Sequence, residues 1–201
     1  MLRHLRRVWL TSLLLGIALA GTGCNDAANS NATSSLLTLI SLTALGPNGD
    51  EGTVLASDVI TIVNDVPTIV EDIGSATVRN RPIDPDQGSA TSWQDVVLNR
   101  YRITYTRADG RNQQGQDVPY AFEAAMTLDI KINSEVEFGF ILVRAISKTE
   151  PPLVQMAQGP IGEGMILTTA TVEFWGNDLG GHPVYLKGQI AVHFANWADE
   201  G

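Results

Sequence analysis

From Ser35 onward, apolar and polar residues alternate along the chain in short runs that end at turn residues. Tyr101, Ile103 and Tyr105, for example, alternate with arginines and threonines, as expected for a strand with one buried face. Glycine, proline, asparagine and aspartate separate the runs. The pattern predicts strands over the following segments: Leu36–Leu45, Val54–Val63, Thr68–Ile73, Ala76–Arg81, Val96 to the turn at Asp109-Gly110, Phe122–Ile132, Val136–Leu142, Met165–Trp175 and Val184–Phe194.

These runs predict an all-β chain, because no long segment shows a helical period. Strands separated by regular turns indicate an antiparallel sandwich or barrel. The last third consists of an apolar strand, a turn over residues 176–183 and an alternating final strand, and it resembles the closing strands of bacterial immunoglobulin-like domains. The resemblance implies an antiparallel immunoglobulin-like β-sandwich, without the cysteine–tryptophan–cysteine hallmark of antibody-type domains.

The beginning of the chain has a basic, then apolar, then small-residue order. Arg3, Arg6 and Arg7 precede the apolar run Val8–Ala20, and glycine and threonine follow it. This order is typical of a secretory signal. The apolar run is shorter than the ~20 residues that a membrane-spanning helix needs. We therefore predict a signal peptide over residues 1–23.

Cys24 is the only cysteine in the chain and directly follows this signal. The stretch Leu19-Ala20-Gly21-Thr22-Gly23-Cys24 resembles a bacterial lipobox, although Gly21 occupies a position where leucine is usual. The resemblance implies cleavage before Cys24 and attachment of a lipid to its thiol. The whole chain also resembles uncharacterised envelope lipoproteins. These resemblances imply a bacterial cell envelope location, lipid-anchored at a periplasmic face, at the outer membrane or at the surface.

Composition and charge refine the expected organisation. We expect a lipidated flexible tether over residues 24–34, because Asn25–Ser34 is small, polar and aperiodic. The β-sandwich domain is predicted over 35–197 and a C-terminal tail over 198–201. Loss of the signal removes three of the 13 basic residues and none of the 22 acidic ones, which leaves a net charge of about −12. Such a charge disfavours nucleic acid and anionic headgroups as direct partners.

Catalytic and metal-binding motifs are not evident in the sequence. The mature chain has only two histidines, His182 in a turn and His193 on the solvent side of a strand, and it has no nucleophile elbow. Clustered histidines or cysteines at metal-ligand spacing are also missing. We predict no catalytic residue, no metal ligand and no cofactor.

Two ligand classes are alternatives. Asp84 and Asp86 lie two residues apart in a glycine-containing loop, which is compatible with weak calcium binding or with a plain turn. Glycan binding uses exposed aromatic residues, and three tryptophans are candidates: Trp93, Trp175 and Trp197. Core packing is the favoured interpretation for Trp175. The leading hypothesis is a non-enzymatic structural or protein-interaction module of the envelope, then a glycan- or calcium-binding lipoprotein, then an enzyme of unknown type.

Overall fold

The computed structural model describes residues 33–46, 49, 51–84, 86, 90–159 and 164–197. The predicted signal peptide, Cys24 and all but the last two residues of the predicted tether lie outside the described residues. Within the described ranges, none of the helices is long and apolar enough to cross a membrane.

Eleven strands form the described part of the chain, with two short α-helices and one turn of 3₁₀ helix. The strands are β1 (Ser35–Leu45), β2 (Glu51–Gly52), β3 (Val54–Asp58), β4 (Thr61–Val63), β5 (Val66–Thr68), β6 (Asp72–Pro82), β7 (Val96–Thr106), β8 (Phe122–Ile130), β9 (Ser134–Val143), β10 (Ile166–Asp178) and β11 (Pro183–Ala195). The helices are the 3₁₀ turn Ser92–Gln94, α1 (Ala145–Lys148) and α2 (Leu153–Ala157).

The strands build two packed sheets and a separate hairpin. One sheet has the order β2-β1-β6-β9 and the other the order β3-β11-β10-β7-β8, while β4 pairs only with β5. All pairs are antiparallel except β3 with β11. With β1, β6 and β9 as strands A, B and E and β7, β10 and β11 as C, F and G, this is the strand order of the immunoglobulin fold. The predicted all-β immunoglobulin-like sandwich is therefore confirmed.

The core lies between the sheets, where the inward positions of the alternating strands meet. Tyr101, Phe140 and Phe174 pack there edge to face or tilted, with ring centroids 5.4 to 6.1 Å apart. The buried Tyr105 hydroxyl crosses the core and donates to the Leu142 carbonyl oxygen at 2.6 Å. The alternation of the sequence thus produces the sandwich, because each strand buries one face against the opposite sheet.

Two of the predicted strands are divided in the structure. The segment Val54–Val63 is two strands rather than one, because β3 ends at Asp58 and β4 begins at Thr61 in another sheet. The predicted strand Thr68–Ile73 is divided between β5 and β6. Both differences arise because the chain leaves the sandwich and forms the β4–β5 hairpin, which turns through Asn64 and Asp65 with positive φ angles of 51° and 63°.

The sandwich has two distinct ends, separated by the eleven residues of β1, about 36 Å of extended chain. The chain enters the sandwich at the end formed by residues 33–35, 82–84, 90–95, 131–133 and 179–182, here called the tether end. The opposite, distal end is formed by residues 45–46, 58–72, 107–121 and 143–159. The β4–β5 hairpin, α1 and α2 all belong to the distal end.

Candidate functional site

A cleft of about 300 Å³ opens at the distal end, between the β4–β5 side of the sandwich and the beginning of β6. Its walls are mainly aliphatic, and three carboxylates line it. The lining residues are Leu45, Gly46, Ala56, Asp58, Thr61, Val70, Glu71, Asp72 and Ile73. The cleft therefore combines an apolar surface with negative charge.

A buried ion pair closes one side of this cleft. Lys148 of α1 is 1% exposed, and its Nζ donates to the two carboxylate oxygens of Asp72 at 3.0 and 3.1 Å. The buried Ser57 hydroxyl donates to Asp72 Oδ2 at 2.6 Å. Burial raises the pKa of the Asp72 carboxyl, while Lys148 and Ser57 partly offset that rise. The network connects β3, β6 and α1, so it stabilises the distal end.

Asp58 holds the end of the last strand at the same cleft. Its Oδ1 accepts hydrogen bonds from the backbone N–H groups of Ile60 and Trp197, at 3.4 and 3.1 Å. Glu71 is exposed and extends beside it. With three carboxylates and one ammonium group, the cleft carries a net negative charge.

The β4–β5 hairpin adds an exposed apolar surface next to the cleft. Val63 and Val66 flank its turn and are 43% and 58% exposed, and Ile69 and Val70 continue the surface along the chain towards Asp72. Isolated two-stranded hairpins have little stability of their own in water. An exposed apolar hairpin is therefore typical of an interaction surface.

The tether end contains a second polar network, centred on the buried Asp178 at the end of β10. Thr33 donates its hydroxyl to Asp178 Oδ2 at 2.7 Å, and the His182 backbone N–H donates to Oδ1 at 2.8 Å. The ring Nδ1 of His182 lies 3.1 Å from both carboxylate oxygens. Burial acts to raise the pKa of Asp178, but these hydrogen bonds lower it below its ordinary value. Thr33, His182 and Asp178 have the residue types of a catalytic triad. The Thr33 hydroxyl, however, bonds to the carboxylate and not to the imidazole, so it lacks the contact with a base that would activate it as a nucleophile.

Because folding lowers the pKa of Asp178, the free energy of unfolding is expected to fall at acid pH. The charged carboxylate is favoured in the folded state, so its contribution is present above the ordinary value of 3.8 and is lost as the pH falls through the folded value. We expect Asp178→Asn to lose about 1–3 kcal/mol at neutral pH and less near pH 3. Urea unfolding of the wild type and of the variant at both pH values measures this loss. A loss of the same size at neutral pH and near pH 3 would contradict the prediction.

The outer face of the five-stranded sheet carries the second predicted tryptophan. Trp175 faces outward, not into the core, so the core-packing interpretation is wrong. Its cross-strand neighbours are Arg100 and Tyr185. The Arg100 guanidinium lies 4.7 Å above the indole, and the Tyr185 ring centroid is 5.6 Å away at 45°. Arg100 thus covers an indole face on which a sugar would stack.

The other predicted ligand residues lie apart from each other. Trp93 lies at the tether end and is 68% exposed, whereas Trp197 lies near the distal cleft. Asp84 Oδ1 accepts the Asp86 backbone N–H at 3.0 Å, as in an Asx-turn. Among the described residues, no group of three or more His, Cys, Asp or Glu side chains could hold a metal ion. His193 points outward from β11, as predicted.

Sequence reasoning missed the residues that form the distal cleft. Asp72 and Lys148 are 76 positions apart, and Lys148 lies in a polar segment that is indistinguishable from a surface turn. The only available signal was the lysine itself, one of three in the chain, at the end of a short helix between Ser147 and Thr149. A buried ion pair between distant segments has no periodicity from which it could be predicted.

Comparison of the chain with known proteins found no matching family model, no matching curated protein and no matching solved structure.

Proposed function

We propose that this protein is a lipid-anchored, non-enzymatic interaction module of the bacterial envelope, which presents its distal end to a protein partner. The observation that supports the proposal best is the difference between the two ends of the sandwich. The chain enters at Thr33, and the apolar hairpin and the negatively charged cleft lie at the opposite end. A tether attached at one end leaves the other end free to meet a partner.

The chemistry of the distal end determines which partner would fit. Aliphatic side chains of Leu45 and Val70 line the cleft beside the exposed carboxylate of Glu71. A long side chain with an apolar stem and a cationic head complements such a lining. The partner is therefore a protein segment that places a lysine or arginine in the cleft and apolar residues against the β4–β5 hairpin.

The test uses a photo-crosslinking amino acid at Val66 in the full-length protein in native envelopes, with the same amino acid at the exposed Lys187 as the matched control. We expect a discrete crosslinked protein at position 66 only. Glu71→Lys should abolish this crosslink, while Glu71→Gln weakens it, because reversal of the charge repels the cation of the partner. Equal crosslinking at both positions, or no effect of Glu71→Lys, would contradict the proposal.

A further inference from the structure

Exposed apolar side chains are also concentrated at the tether end, where no hairpin or cleft explains them. Trp93 is 68% exposed, Ile83 56% and Leu179 47%. They come from two different connections, β6 to β7 and β10 to β11. A tryptophan this exposed is unusual, because its large apolar ring normally packs against protein.

Backbone hydrogen bonds place the three residues, here called the tether-end cluster, at the same end of the sandwich. The Gly180 N–H donates to the Trp93 carbonyl oxygen at 3.2 Å, and the neighbouring Leu179 N–H donates to the carbonyl oxygen of Asp95 at 2.9 Å. The Ile83 N–H donates to the carbonyl oxygen of Ser34 at 3.0 Å. The tether-end cluster therefore lies at the end where the chain enters the sandwich.

The turn that presents Trp93 is itself fixed. Two hydrogen bonds close the 3₁₀ turn: the Thr91 N–H donates to Gln94 Oε1 at 3.0 Å, and the Gln94 N–H donates to the Thr91 carbonyl oxygen at 3.0 Å. The Gln94 carbonyl accepts from the Ser35 hydroxyl at 2.7 Å and from Asn80 at 2.8 Å. The backbone that carries Trp93 is thus anchored to β1 and β6, while the ring remains in solvent.

The length of the tether limits how far this cluster can lie from a lipidated Cys24. Thr33 is fixed to Asp178, and only the eight residues 25–32 separate it from Cys24. A chain of this length reaches about 30 Å at most when fully extended. A lipid on Cys24 therefore keeps the tether end within about 30 Å of the bilayer surface.

We infer that the tether end contacts the surface of the lipid bilayer, with Trp93 and Leu179 in the headgroup region. The inference rests on the proposed lipid anchor. Tryptophan favours this region because its ring is apolar and its N–H remains hydrated. Asp84 and Asp86 lie at the same end, and anionic headgroups would repel their carboxylates. The contact therefore uses the apolar side chains and does not depend on anionic lipids. The contact orients the distal end away from the membrane.

Because a lipid occupies the thiol of Cys24, an introduced cysteine becomes the only site for a thiol-reactive fluorophore. The lipidated full-length protein carries Leu179→Cys, or Val66→Cys at the distal end as the control. Each labelled protein is reconstituted into phosphatidylcholine vesicles that contain a headgroup spin-labelled lipid as quencher. We expect several-fold stronger quenching at position 179 than at 66, and Trp93→Ser in the Leu179→Cys protein should reduce it.

The outcomes separate this inference from the anchor. A protein that fails to float with the vesicles would overturn the anchor and, with it, the bilayer contact. A protein that floats but whose label at 179 is no more quenched than the label at 66 would overturn the bilayer contact alone. Equal, strong quenching at both positions would also overturn it, because the sandwich would then lie on its side. Stronger quenching at 179 that survives Trp93→Ser would remove Trp93 from the contact.

Discussion

Replacement of Cys24 by serine is expected to move the protein from the membrane fraction to the soluble fraction of the envelope. Two or three acyl chains hold a lipoprotein stably, because each buried methylene contributes about 0.8 kcal/mol. Serine offers no thiol for the thioether, so the whole anchor is lost at once. Quantitative blotting of membrane and soluble fractions measures the redistribution.

A conservative change two residues before Cys24 is the matched control. Thr22→Ser keeps a small hydroxyl residue in the lipobox-like stretch and should leave the protein in the membrane fraction. If Cys24→Ser also remains there after a high-salt wash, the lipid-anchor hypothesis fails. The apolar cluster at the tether end would be too small to retain the protein without a lipid.

Lys148→Ala is expected to destabilise the sandwich by about 3–5 kcal/mol, because it leaves the Asp72 carboxylate buried without its ammonium partner. Burial already raises the pKa of Asp72. Removal of Lys148 takes away the main charge that offsets this rise, so Asp72 takes up a proton more readily. A raised pKa costs stability as the pH rises above the ordinary value of 3.8, so the loss should be larger near pH 7 than near pH 4. Urea unfolding at both pH values measures it.

Two further variants test whether the loss of stability comes from the buried ion pair and not from the removal of any lysine. Lys131→Ala removes a lysine whose side chain is 68% exposed and that pairs with Asp95, so it should cost no more than about 1 kcal/mol. The double variant Asp72→Leu with Lys148→Met removes both charges and should recover most of the lost stability. If the double variant is as unstable as Lys148→Ala, the ion pair is not the cause.

Most strands could be predicted because their period of two has a direct physical cause. β7, β10 and β11 each bury one face, so their apolar residues alternate, apart from the bulge of β7 between Leu98 and Arg100, and the predicted starts lie within one residue of the observed ones. The same alternation places Trp175 on the face of Glu173, and it indicated the outward orientation that the core-packing interpretation overlooked. That interpretation relied on the aromatic side chain of Trp175 and not on its position in the alternation of the strand.

The β4–β5 hairpin and the distal cleft could not be predicted in the same way. Val54–Val63 reads as one apolar run, and its only interruption, Ser57-Asp58, is too short a signal to show that the chain leaves one sheet there for another. The pairing of Asp72 with Lys148 depends on how β6 and α1 meet in space, and no local pattern records that. The tether-end cluster also combines distant connections, although Trp93 itself was a candidate from the sequence.

The mass of the amino-terminal peptide from the membrane-extracted protein tests the lipid-anchored module most directly. We expect the chain to begin at Cys24, with residues 1–23 removed and the mass of a diacylglyceryl group on the thiol. A free thiol at Cys24, or a mature chain that still carries the first 23 residues, would contradict the anchor and the orientation of the sandwich that depends on it.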